Sequence, residues 1–106
     1  MDSARVADLE VALHTEVDRL RLLLTAPHKT NQLFLAVDEQ LRLALHIPMP
    51  FSWARFLESA SSDINAAQAL PDESQERLAD AMAKVKTVLG EIHSGYGHSS
   101  TLARSV

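Results

Sequence analysis

The sequence predicts an all-α domain: an antiparallel bundle of about four amphipathic helices with a flexible C-terminal tail. Two observations carry that expectation. Apolar residues recur at spacings of three and four in four separate blocks, the period of a helix that buries one side. The 106 residues are 46% apolar and 23% charged, enough for a chain of this length to bury a core of its own. Turn signals separate the blocks, and no strand-like alternation or internal repeat intervenes.

The first helix is expected over residues 3–25. Val6, Leu9, Leu13, Val17, Leu20 and Leu24 form its stripe. Asp2 or Ser3 is placed to cap its start, because a short side-chain oxygen accepts a free first-turn N–H. Pro27 ends it, since proline disfavours helical geometry in the residue before it. The second helix is expected over residues 31–45, capped by Thr30 or Asn31. Phe34, Val37, Leu41 and Leu45 form its stripe, widened by Leu33 and Ala44, and Asp38 stands four residues before Arg42 in the favourable order. Residues 47–51, with Pro48 and Pro50, read as an extended apolar connector.

The third helix is expected over residues 52–70 with Ser52 as its cap. Trp53, Phe56, Leu57, Ala60, Ile64 and Ala67 line one side, and the weak helix formers of residues 59–62 suggest a break or fraying. The fourth is expected over residues 72–93. Asp72 and Gln75 resemble a capping box. Leu78, Met82, Val85, Leu89 and Ile92 form the stripe, with Ala81 and Val88 beside it, and Asp80 precedes Lys84 by four. Gly90 costs roughly 1 kcal/mol against alanine inside a helix. Residues 94–97, with Gly95 and Gly97, read as a stop. A single domain is thus expected over residues 1–97, with residues 98–106 as the tail.

Composition weighs against several function classes. Ten basic against fourteen acidic residues give a net charge of −4, and no run of three basic residues exists. A domain that holds nucleic acid by its phosphates, or an anionic membrane surface, needs the opposite balance. The chain has no cysteine, which removes disulfides, thiolate metal sites and cysteine nucleophiles. Residues 1–5 carry no apolar leader pattern and no apolar run is long enough to cross a bilayer, so the expected location is cytoplasmic.

The first two helices hold more leucine than one buried stripe can use. Leu22, Leu23 and Leu24 are consecutive, and consecutive helical residues point about 100° apart. Val11, Leu22 and Leu23 on the first helix, and Leu35 and Leu43 on the second, are the expected protein-interaction residues. Met49, Phe51 and Trp53, on or beside the proline-stiffened connector, are a second such group; the alternative for Phe51 and Trp53 is that they plug the core.

Chemical constellations are sparse. Glu10, His14 and Asp18 stand four apart in line on the first helix, a spacing that can hold a divalent metal, although any polar helix edge produces such triplets. His93 and His98 flank the glycine turn and offer a second pair. His46 suits a helix C-terminus, and His28 reads as a loop residue. Gly95-Tyr96-Gly97 lacks the following helix N-terminus that a phosphate loop requires. No H-E-x-x-H, di-iron Glu-x-x-His or G-x-S-x-G pattern is present.

The sequence therefore assigns no catalytic residue, no cofactor and no metal. The leading expectation is a non-enzymatic protein-interaction module, a small regulator or inhibitor that binds another protein and forms a homodimer. Nucleic acid and membrane are not expected as partners. Acidic residues such as Asp8, Glu16, Glu73 and Glu76 would steer a basic protein partner. The alternatives are a dimeric nucleic-acid-associated regulator and a bundle that binds a metal or small ligand in its core.

Overall fold

A computed structural model of the chain describes residues 3–25 and 31–96. The tail expected over residues 98–106, the candidate caps Asp2 and Thr30, the stop residue Gly97, and Pro27, His28 and His98 all lie outside the described residues.

Four helices form a ring in which each packs on the next: α1 (Ser3–Thr25), α2 (Asn31–Ala44), α3 (Phe51–Ala69) and α4 (Ser74–Glu91). Long-range contacts fix the antiparallel order. The Gln75 side-chain amide at the start of α4 donates to the Leu24 carbonyl at the end of α1, 3.3 Å away. At the other end of the same pair, His93 reaches Glu10. The bundle is a rod of 50 × 20 × 20 Å.

The core follows the predicted stripes closely. On α1, Val6, Leu9, Leu13, Val17 and Leu20 are buried. Leu23 completes this line, and Leu24 lies half-buried beside it. Both choices fit the helical period, at three and four residues after Leu20, and the neighbouring helices cover Leu23 completely and Leu24 only in part. Phe34, Val37, Leu41 and Ala44 carry α2, with Leu33 and Leu45 packed at the margin. Trp53, Leu57, Ala60, Ile64 and Ala67 carry α3. On α4 they are Leu78, Ala81, Val85, Val88 and Leu89, with Ile92 just beyond and Met82 half-buried.

Several local expectations are corrected. Phe56 stands at the edge of the α3 stripe and remains partly exposed. The serine-rich middle of α3 does not break, because its polar groups have partners. The Ser61 hydroxyl donates to Asp38 Oδ1 at 2.6 Å, and the Asn65 amide reaches the same oxygen at 3.1 Å. Pro50, not Ser52, precedes the first turn of α3, in extended geometry. The capping box of Asp72 and Gln75 does not form: residues Pro71–Glu73 make a 3₁₀ turn, and Gln75 turns instead towards α1. Lys84 does not pair with Asp80 but reaches across to Asp63 on α3. The chain does not stop after His93; Ile92–Tyr96 widens into a π-helical turn.

Candidate functional site

The outer faces of α1 and α2 retain large apolar side chains after the core is complete. Val11 is 67% exposed and Leu22 56%. Eleven residues make just over three full helical turns, so the two lie within about 20° of each other and point away from the buried line. Ala4 and Thr15 share this outer line. On α2, Leu35 is 56% exposed and Leu43 51%. Eight residues bring them about 80° apart, one on each side of the outward direction. Glu39, Arg42 and His46 surround them.

The remaining expected interaction residues divide. Phe51 opens α3 largely exposed, with the Arg55 guanidinium over its ring at 5.8 Å. Met49 is half-buried against the core. Two residues are removed from the surface altogether. Leu23 is sealed in the α1 core line. Trp53 is a core plug, its indole N–H donating to Glu91 Oε1 at 3.1 Å and so tying the start of α3 to the end of α4. A buried tryptophan needs such a partner for its polar edge.

Polar clusters occupy the seams. Asp38 on α2 accepts from Ser61 and Asn65 on α3 and pairs with Arg42 at 3.1 Å. Asp63 on α3, nearly buried, takes Lys84 and, at 4.0 Å, Arg77 from α4. Glu16 is the main departure from the expected surface: it is 1% exposed and cannot steer a partner. Arg19 donates to it at 2.6 Å, yet burial outweighs that partner and pushes the carboxyl up to about 7.

A third arrangement involves donor atoms of metal-ligating type. Glu10 and His14, one turn apart on α1, face the π-helical turn that follows α4. His93 Nε2 lies 2.7 Å from Glu10 Oε2, and His14 Nε2 lies 3.9 Å from the same oxygen. The imidazole rings stand edge-on at 61°, with centroids 6.0 Å apart. Asp18 does not join them; it pairs with Arg21 at 3.4 Å on the outer side of α1. The sequence supplied Glu10 and His14 as a spacing, but only the antiparallel packing of α1 and α4 brings His93 beside them.

Beside α3 lies an open groove of about 360 Å³ lined by Ser52, Arg55, Phe56, Ser59 and Lys84. No helix among the described residues is long and apolar enough to cross a membrane. Comparison with protein-family models, curated proteins and solved structures finds no match, so the surface is read from its own geometry alone.

Proposed function

We propose that this chain is a non-enzymatic protein-interaction module, a small cytoplasmic regulator or inhibitor that binds another protein and pairs with a second copy of itself. The observation that carries this reading is the exposure of Val11, Leu22, Leu35 and Leu43 on two helices packed side by side. None of the four is needed to close the core. Leaving them in water costs stability in the isolated chain, and burial against a partner recovers it.

Magnitudes set the character of the association. A half-exposed leucine has about 1 kcal/mol left to gain from burial. Eight such residues across a symmetric pair give about 8 kcal/mol before the cost of association, at least about 4 kcal/mol, is met. The resulting pair is weak and reversible, about millimolar at its tightest. A heterologous partner with a better-fitting groove would bind more tightly over the same residues.

Charge pairing disfavours the nucleic-acid alternative. Arg19, Arg21, Arg42, Arg77 and Lys84 each face a carboxylate of this chain, which weakens them as phosphate ligands. The open groove beside α3 suits surface contact better than enclosure of a small substrate. The absence of cysteine fits a reducing compartment.

Affinity capture from an extract of the producing cell tests the reading. The parent chain is expected to retain a protein that the Leu22→Asp and Leu35→Asp variants both release, while Trp53 fluorescence shows both variants folded. Retention of that protein by both variants would contradict it.

A further inference from the structure

We propose that Glu10, His14 and His93 form a surface site for one divalent transition-metal ion of the zinc type, clasping the middle of α1 to the turn after α4. Glu10 and His14 stand one turn apart and His93 lies about eighty residues on, yet one donor atom from each lies within 4.8 Å of the others. In tetrahedral zinc coordination, bonds of about 2.0–2.1 Å place neighbouring donors about 3.3 Å apart. The observed separations of 2.7 and 3.9 Å from Glu10 Oε2 bracket that value. Rotations of exposed imidazoles are enough to equalise them.

The donor chemistry is selective. Two imidazoles and one carboxylate suit zinc, copper, nickel or ferrous iron, whereas magnesium and calcium favour all-oxygen sites. The first ligand pair sits at i and i+4 on a regular helix, so one turn of backbone fixes its spacing. The third ligand sits in the π-helical turn Ile92–Tyr96. Such turns recur at functional sites because the wider turn re-aims a side chain. Here Ile92 stays buried while the next residue reaches Glu10.

Exposure sets the coordination left open. The His14 and His93 side chains are 58% and 61% exposed, and that of Glu10 is 28% exposed. Three protein ligands on an accessible rim leave a fourth position for water or for a donor from another molecule. The proposal does not rest on the association surface, since none of its three ligands is among Val11, Leu22, Leu35 and Leu43.

Titration of the full chain, free of any histidine tag, with zinc by calorimetry, and with cobalt(II) by visible absorption, tests the site. One equivalent per chain is expected to bind, with a cobalt spectrum of nitrogen and oxygen ligation and a rise of several degrees in the thermal midpoint. His14→Ala, His93→Ala and Glu10→Gln are each expected to weaken binding by more than about tenfold. The remote His46→Ala variant is expected to bind as the parent does. All four positions are exposed or half-exposed, and circular dichroism checks that each variant folds. No binding by the parent, or parent-like binding by either the His14 or the His93 variant, would overturn the proposal.

Discussion

Glu16 stands three residues after Leu13 and four before Leu20, the same spacing that places Val17 on the buried line. The α1 packing seals both. Folding therefore raises the carboxyl from 4.5 to about 7, burial being the dominant cause and Arg19 only a partial offset. A carboxyl whose folded value is raised favours the folded state while protonated. Its stabilising contribution is complete below about 4.5 and is lost as pH rises through about 7. At about 1.4 kcal/mol per pH unit of displacement, the loss is on the order of 3 kcal/mol. Urea unfolding at pH 5 and pH 8 should show the parent less stable at pH 8, and Glu16→Gln should remove most of that difference. The residue shows what the period alone leaves open, because spacing does not tell which of two adjacent positions is sealed, or whether both are. Ser61 makes the same point from the other side. Its hydroxyl bond to Asp38 turns an apparent weak spot in α3 into an anchor between α2 and α3. Ser61→Ala should cost about 1–2 kcal/mol in urea unfolding.

At the scale of the helix, existence and most ends are legible from the stripes and the prolines, while the two ends of α4 are not. α2 ends at Ala44 and α3 begins at Phe51, each within a residue of the position expected from periodicity and proline. The start of α4 differs because its capping side chains had better partners. Gln75 reaches the Leu24 carbonyl, and the Ser74 hydroxyl donates to the Pro71 carbonyl inside the 3₁₀ turn. Such choices depend on a neighbouring helix that local sequence does not contain. Gly90 tests the helix scale directly. It lies within α4, and a β-carbon added there would meet nothing within 4 Å. Its backbone is not left-handed, so no glycine-only conformation is in use. Gly90→Ala should raise stability by about 0.5–1 kcal/mol, read as a higher urea midpoint at unchanged slope.

For the whole molecule, the ring of four helices explains why the sequence holds more apolar residues than its core consumes. Each helix has two neighbours and one outward side. On α3 and α4 the outward sides are largely polar, and Asp63, Arg77 and Lys84 bridge the seam between them. On α1 and α2 the outward sides keep Val11, Leu22, Leu35 and Leu43. Their surplus was legible in sequence because consecutive leucines cannot share one face. Leu23 and Trp53 were not separable from them, since burial of a side chain at the edge of a stripe depends on how far the neighbouring helix covers it. The core itself should respond as a close-packed interior. Leu41→Ala, on the shortest helix and fully buried, should cost about 2–5 kcal/mol in urea unfolding.

Sedimentation velocity over a concentration series, on the parent chain and on a Leu22→Asp, Leu35→Asp double variant, tests the association surface most directly. The parent should sediment faster as concentration rises from micromolar towards millimolar, and the variant should stay a monomer with unchanged helical content. A parent that remains monomeric throughout, or a variant that associates just as the parent does, would contradict the role given to the outer faces of α1 and α2.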